Sequence, residues 1–284
     1  MKIFGCLLMM YLMFMYPDIA ADASRRALQI FGQDIFPVLF PYMVLTRILI
    51  AKVRTPSLGA VIPFCLLGGS PTSASILDAY MSHYSTNKKT LLALCALTGT
   101  ISPAFQINTV GSWIKDPRIT SLLVISHFGG SAAASILVYL SMKDDDSIIM
   151  IRPLSASNHD TNAISSSIMP VLGVGGCLVF FSVLSEAINT VLIHAPSIGA
   201  SLIHAILEIS GGVKKLSEGL PNTASMRYTL IAFSCGFSSL SILSQNAMFL
   251  KDHSITISQL VGIGLIRGFA SSSIMQLLML FYDN

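Results

Sequence analysis

The feature that most constrains the fold is an apolar segment interrupted by a Gly-Gly-Ser-Pro-Thr turn. From Pro63 the chain reads PFCLLGGSPTSASILDAY, so short apolar runs flank residues 68–72. About ten apolar residues on each side are too few to cross a ~30 Å hydrocarbon layer. They suit a helical hairpin that enters the membrane and returns on the same side. We therefore predict a re-entrant hairpin whose tip lies at membrane depth.

The next apolar segment, about Thr90 to Trp113, is long enough to cross a membrane but carries Gly99 and Pro103 in its middle. Both residues bend or break helices. Irregular backbone at membrane depth persists only where protein or a water-filled cavity satisfies its free N–H and C=O groups. Transporters bind solutes and ions at such breaks. This pattern favours a solute-binding role.

Composition places the chain among membrane proteins. It is 53% hydrophobic and 11% charged, whereas soluble domains are about 25% charged. We therefore expect a multi-pass protein of the cell membrane in contact with lipid. No basic patch indicates a nucleic-acid partner, and the five cysteines lie in apolar runs, as buried thiols do. A homo-oligomer remains open.

The chain divides into two similar halves. Residues 1–23 fit either an uncleaved first transmembrane helix, which we favour, or a signal peptide. Arg25 and Arg26 are expected to mark a turn before a second span, Ile30 to Ile50, kinked by Pro37 and Pro41. Residues 24–142 then form a first repeat, 143–162 a polar linker and 163–284 a second repeat. The landmarks that recur in one order are Val44 to Arg47 with Val183 to Glu186, Gly68-Gly69 with Gly211-Gly212, and Gly99 with Gly236.

This pattern predicts an all-α polytopic fold of two repeats. Each repeat has three crossings, one re-entrant helical hairpin and one broken transmembrane helix. Because an odd number of crossings reverses orientation, the repeats would be inverted, as in many transporters.

The segments FPVLFP (from Phe36), GGSPTSASILDAY (from Gly68) and PAFQINTVG (from Pro103) resemble the sporulation integral membrane protein YlbJ family, built from nucleoside-recognition (Gate) repeats. The resemblance covers nearly the whole chain. It departs at Gly99, where the family usually has asparagine, and at Asn108, where it usually has glycine. More distantly, the hairpin followed by a broken helix is similar to concentrative nucleoside transporters, but their acidic and amide residues are absent from GGSPTSAS. The resemblance implies a nucleoside-like solute.

Candidate substrate-binding residues cluster at the tips and breaks. They are Gly68, Gly69, Ser70, Thr72, Ser73, Thr98, Gly99, Gln106, Asn108, Gly211 and Gly212. Hydroxyls and free backbone groups there suit a small solute or cation. The alternative is that they only cap half-helices and satisfy turns. Since Gln106 and Asn108 are two residues apart, they cannot share one face of a regular helix.

Four ionisable residues are candidates for coupling or ion pairing. Arg47 and Glu186 occupy equivalent places in the two halves, so we predict an ion pair between them; Arg47 alone would snorkel to the interface. His204 and Glu208 are four residues apart on one helix face, which suits a polar pair better than a metal site. His127 and Arg267 also fall at nearly equivalent positions.

We expect a transporter or permease for a small polar solute, with optional coupling to Na⁺ or H⁺ and no other cofactor or metal. No nucleophile–base or nucleotide-binding motif indicates an enzyme. The alternative is a non-transporting membrane scaffold needed for spore envelope assembly. Hairpins that meet around a polar cavity would favour transport, and closely packed hairpins would favour the scaffold.

Overall fold

The computed structural model describes residues 7, 10, 11, 13–52, 58–81, 86–142, 163–192, 198–219 and 224–282. Most of residues 1–12, the linker at 143–162 and His194 lie outside this description. The helices in chain order are α1 Pro17–Ile30, α2 Phe36–Lys52, α3 Leu58–Gly68, α4 Thr72–Met81, α5 Lys88–Thr98, α6 Gly111–Ile114, α7 Pro117–Ser141, α8 Ala163–Leu192, α9 Ile198–Leu207, α10 Ile209–Gly219, α11 Ala224–Phe237, α12 Ser239–Leu250 and α13 Ile257–Tyr282.

Within the described ranges, five helical segments are long and apolar enough to cross a membrane. They are Pro17–Leu49, Pro117–Ser141, Ala163–Thr190, Ser225–His253 and Ile257–Tyr282. Large apolar side chains such as Leu140, Phe269 and Phe281 are exposed on these segments, as expected where lipid replaces water. The prediction of an all-α polytopic membrane protein is confirmed.

The first membrane helix differs from the prediction. Arg25 and Arg26 lie inside α1 rather than in a turn, and a π-helical turn, Phe31–Ile35, joins α1 to α2 without a break. The π-helical turn lies just before Pro37, which cannot donate a backbone hydrogen bond and crowds the preceding turn. The proline therefore distorts the helix but does not divide it into two spans.

The same order of elements occurs twice: a long helix, a hairpin, a broken helix and a second long helix. The hairpins are α3–α4 and α9–α10, and the broken helices are α5–α6 and α11–α12. The second arm of each hairpin packs against both broken helices. At the centre, α7 crosses α13 closely, because Gly130 leaves room for Ser271. Both helical hairpins and both breaks predicted from the sequence are therefore present, but the second hairpin turns at Glu208 rather than at Gly211-Gly212. That the hairpins enter the membrane and return on one side stays a prediction.

Candidate solute-binding site

The tip of the first hairpin docks onto the break of the first broken helix. Gly69 has φ +63°, and a Cβ added there would lie 2.7 Å from Ser102 Cα. Only glycine adopts this conformation and this approach without strain. The backbone N–H of Ser70 donates to the carbonyl of Thr100 at 2.6 Å. Gly68 packs against Tyr42 and Thr72, and Thr72 is buried. Gly68 and Thr72 are therefore in contact with protein at the tip and are not open to a solute in this conformation.

Both helix breaks leave backbone groups without their usual helical partners. Helix α5 ends at Thr98, and the chain resumes helical structure at Pro103. Helix α11 ends at Phe237, and both Ser238 and the first residue of α12, Ser239, have positive φ angles. Thr98 donates its hydroxyl to the Leu94 carbonyl at 2.8 Å within α5.

Arg267 joins the two breaks. It is 1% exposed, and its Nε donates to the Gly236 carbonyl at 2.5 Å while Nη2 donates to Ser238 Oγ at 2.8 Å. A Cβ added at Gly99 would lie 2.9 Å from Nη1. The guanidinium thus lies at the carboxyl ends of α5 and α11, whose dipoles carry about half a negative charge each.

None of the ion pairs found among the described residues includes Arg267. A buried guanidinium without a carboxylate partner is unfavourable inside a membrane unless nearby dipoles or a bound group compensate its charge. Helix ends provide part of that compensation here.

A cavity of about 10 Å³ lies beside this guanidinium, close to the smallest volume that holds one water molecule. Its polar lining comprises Ser73, Thr98, Gly99, Asn246 and Arg267. Ser73 Oγ and Asn246 Oδ1 are buried and lack hydrogen-bond partners in the described part of the chain. Asn246 Nδ2 donates to Ser70 Oγ at 3.1 Å. Hydrogen-bonding atoms from three interrupted elements therefore converge on one small space.

Gln106 and Asn108 do not line this cavity. Gln106 is fully buried, and its Nε2 donates to the Ile101 carbonyl at 3.3 Å, within its own helix break. Asn108 is exposed in the π-helical turn Phe105–Val110. The π-helical turn directs one side chain into the break and the other outward, and their role in substrate binding stays a prediction.

The second hairpin is closed by its own residues. The Glu208 carboxylate accepts hydrogen bonds from the backbone N–H groups of Ser210 at 2.9 Å and Gly211 at 2.8 Å. Gly212 lies so close to Ala205 that a side chain would overlap its backbone. None of these residues lines the cavity beside Arg267. Glu208 therefore caps α10, and Gly212 allows the two arms to pack closely.

The ion pair predicted between Arg47 and Glu186 is wrong. Arg47 Nη2 lies 3.6 Å from Asp78 Oδ2, and Glu186 Oε1 lies 3.6 Å from Arg26 Nη2 and 3.8 Å from His204 Nε2. Asp78 also contacts His253, whose Nε2 lies 3.0 Å from Oδ1. Each acidic group therefore lies between an arginine and a histidine, and the equivalence of Arg47 and Glu186 in sequence did not reveal these partners.

Sequence reasoning noted Arg267 only as the counterpart of His127 and passed over Asn246. The available signal was a single arginine inside the apolar run of the last span. His127 is also fully buried, and neither ring nitrogen has a hydrogen-bond partner within the described ranges, but it does not line the cavity. No group of three or more His, Cys, Asp or Glu suitable for a metal occurs among the described residues.

The fold and the site define an integral, multi-pass α-helical membrane protein with a polar cluster enclosed at helix breaks. The chain is similar to the sporulation integral membrane protein YlbJ of Bacillus subtilis (strain 168). The two are 21% identical over 299 residues, which cover 84% of this chain and 72% of the relative. This similarity confirms the resemblance drawn from the sequence. No family model matches the chain, and no solved structure matches it, so the nucleoside-recognition repeats remain a prediction.

Proposed function

We propose that this protein is a permease for a small polar solute, which binds where the first hairpin tip, both helix breaks and Arg267 meet. One observation carries the proposal: among the described residues, the buried Arg267 has no carboxylate partner, and it shares its cavity with oxygens of Ser73 and Asn246 that lack hydrogen-bond partners there. Such a cluster is costly in a membrane; helix ends compensate part of that cost, and a bound ligand would compensate more of it.

The depth of the cluster supports this proposal. Arg267 lies ten residues after Ile257 in a 26-residue helix, about 15 Å along its axis. The hairpin arms α3 and α4, of 11 and 10 residues, reach about the same distance. Both values are half of a ~30 Å hydrocarbon layer. A re-entrant hairpin would therefore place its tip near the midplane, where transporters bind solutes at discontinuous helices.

The side chains indicate the chemistry of the solute. Arginine only donates hydrogen bonds, whereas the Asn246 amide oxygen only accepts them and the Ser73 hydroxyl does both. A matching solute presents an acceptor, such as a carboxylate or a nucleobase carbonyl, next to an N–H or O–H donor. The nucleoside-like preference implied by the family resemblance satisfies this requirement, and so does a small hydroxy or amino acid.

The cavity volume of about 10 Å³ excludes such a solute in this conformation. Transport therefore requires the first hairpin or the breaks to separate, and two repeats of opposite orientation would do so by rocking against each other. Coupling to Na⁺ or H⁺ is part of the proposal. Glu186 with His204 is the candidate carrier, because Glu208 is occupied as a helix cap.

Binding and uptake by variants test the proposal. Ser73→Ala removes a hydroxyl that has no hydrogen-bond partner in the described ranges, so the purified variant should keep its thermal stability while losing affinity for the solute. Arg267→Met should abolish uptake into proteoliposomes, and Arg118→Met, at an exposed arginine, should not. Nucleosides, amino acids and carboxylates form the panel, with and without Na⁺ and pH gradients. Unchanged binding in Ser73→Ala, or no uptake of any panel member by the wild type, would contradict it.

A second candidate function is a membrane scaffold that is needed for spore envelope assembly without transport. The tight packing around a cavity of water size favours it, and the relative is by name a sporulation protein. If sporulation requires the protein but Arg267→Met and Ser73→Ala both restore it in a deletion strain, the scaffold is supported. Loss of sporulation with normal protein levels in both variants supports the permease.

A further inference from the structure

A lateral groove lies between α7 and the segment that runs from the π-helical turn Phe105–Val110 into α6. Its volume is about 630 Å³, within the range of sites for small molecules and cofactors. It is separate from the cavity beside Arg267, because no residue lines both. This groove is called the α6–α7 groove below, and its two ends differ in polarity.

One end of the groove is polar and lies at the membrane boundary. Lys115 and Asp116 line this end and directly precede the membrane helix Pro117–Ser141. Tyr282, at the end of the last membrane helix, lies at the same level, since its hydroxyl donates to Asp116 Oδ2 at 3.0 Å. Trp113 precedes Lys115 by two residues. Because tryptophan and tyrosine are enriched at membrane–water interfaces, we place this end among the lipid headgroups.

The other end of the groove is apolar and lies deeper in the membrane. Ile107 and Ile125 line it, and both side chains are more than half exposed. Ile125 follows Pro117 by eight residues, about 12 Å along α7. Thr120 and Ser121 lie between the two ends, but each hydroxyl donates at 2.8 Å to the carbonyl four residues earlier in its own helix. The walls therefore offer carbon contacts rather than hydrogen bonds to whatever lies in the groove.

Lys115 supplies the positive charge at the polar end of the groove. Its side chain is exposed, and none of the ion pairs found among the described residues includes it. The neighbouring Asp116 carboxylate is already engaged, because it accepts hydrogen bonds from the backbone N–H groups of Arg118 and Ile119 and from the Tyr282 hydroxyl. A lysine ammonium binds phosphate as a point charge, so this end suits a phosphate group.

We propose that the α6–α7 groove binds one phospholipid, whose phosphate lies on the Lys115 ammonium and whose acyl chain extends toward Ile125. The change from a charged end to an apolar end over about 12 Å of helix follows the polarity of a phospholipid, and basic sites between membrane helices bind lipid headgroups. Among the residues that line the groove, Lys115 is the one cation, so the site recognises the phosphate and not the group attached beyond it. Phosphatidylglycerol and phosphatidylethanolamine should therefore both bind, whereas diacylglycerol, which has the same chains but no phosphate, should not.

Native mass spectrometry of the full-length, delipidated protein in detergent tests the phosphate end with each of these lipids. Lys115→Gly removes the ammonium, and glycine suits the φ of +60° at this position, so the variant should keep its thermal stability. Its affinity for both phospholipids should fall about fivefold or more. The matched control Lys214→Ala, at an exposed lysine of α10, should bind as the wild type does. Equal binding of diacylglycerol, or unchanged phospholipid affinity in Lys115→Gly, would overturn the proposal.

A second pair of variants tests the apolar end of the groove. The phenylalanine in Ser121→Phe occupies the groove, so this variant should lose the complex with one phospholipid. Ser273→Phe, at an exposed serine of α13, should keep it. A complex retained by Ser121→Phe would refute the assignment, and so would a co-purified peptide, rather than a lipid, that Ser121→Phe releases. Both measurements follow lipid binding and not uptake, so failure of the permease proposal leaves this one intact.

Discussion

Substitution of Gly69 by alanine has an effect on stability whose size can be worked out from the structure. The φ of +63° at Gly69 costs a residue with a Cβ about 1–2 kcal/mol. A Cβ would also lie 2.7 Å from Ser102 Cα, so the tip would have to move away from the break. That movement lengthens the Ser70 N–H to Thr100 carbonyl bond, worth about 0.5–1.5 kcal/mol. Gly69→Ala should therefore lower the free energy of unfolding by about 2–3 kcal/mol.

Unfolding in detergent micelles measures this loss. The single tryptophan, Trp113, lies on α6 just beyond the first break, so its fluorescence reports on this part of the molecule. Gly176→Ala is the matched control, because its Cβ would meet nothing within 4 Å inside helix α8. The control should be neutral or stabilised by up to about 1 kcal/mol.

A third variant separates the two contributions. Asparagine tolerates positive φ far better than alanine, but it carries the same Cβ. Gly69→Asn should therefore recover the backbone part of the loss and keep the part that comes from overlap with Ser102. If Gly69→Ala were as stable as the wild type, the docking of the hairpin tip onto the break would be wrong. If Gly69→Asn alone matched the wild type, the close approach to Ser102 would be wrong.

Three further predictions concern the second hairpin and the start of α7. Gly212→Val should lower the free energy of unfolding by about 1–3 kcal/mol, because its side chain overlaps Ala205, and detergent unfolding against Gly176→Val checks this. Glu208→Ala removes a helix cap and should lower the free energy of unfolding by about 1 kcal/mol. Glu208→Gln should keep most of the stabilisation that this cap provides. The Asp116 carboxylate caps α7 by accepting a hydrogen bond from the Ile119 backbone N–H, which holds the pKa of Asp116 below its usual value. The stability that this cap contributes is fully present above the ordinary carboxyl pKa and is lost as the pH falls through the lower pKa of the folded state. Asp116→Asn should remove that acid sensitivity from thermal unfolding curves; an unchanged pH profile would contradict the assignment.

The interruptions were predictable because their causes are local. Glycine, proline and hydroxyl residues at 68–72 and at 99–103 cannot continue an apolar helix, so each signals an end within a few residues. The same reasoning misplaced the boundary near Arg25. Proline at 37 and 41 distorts a helix that packing against α8 still holds continuous, and no local pattern encodes that packing.

The charged partners were not predictable from spacing. Arg47 and Asp78 are 31 positions apart, and Asp78 and His253 are 175 apart. Two residues at equivalent positions in the two halves of the sequence need not lie close together in the fold. Arg47 and Glu186 each lie beside an opposite charge on a neighbouring helix instead.

The buried Arg267 and the two helix breaks satisfy each other's hydrogen-bonding groups. Each break exposes carbonyl groups that need donors, and a guanidinium offers five N–H donors in one plane. Without the arginine, the Gly236 carbonyl would lack its donor; without the breaks, the guanidinium would lack its acceptors. A solute that presents carbonyl or carboxylate oxygens offers the guanidinium the same kind of acceptor. In the proposed permease, its entry would therefore exchange hydrogen bonds rather than remove them, which would keep the closed and the loaded states close in free energy.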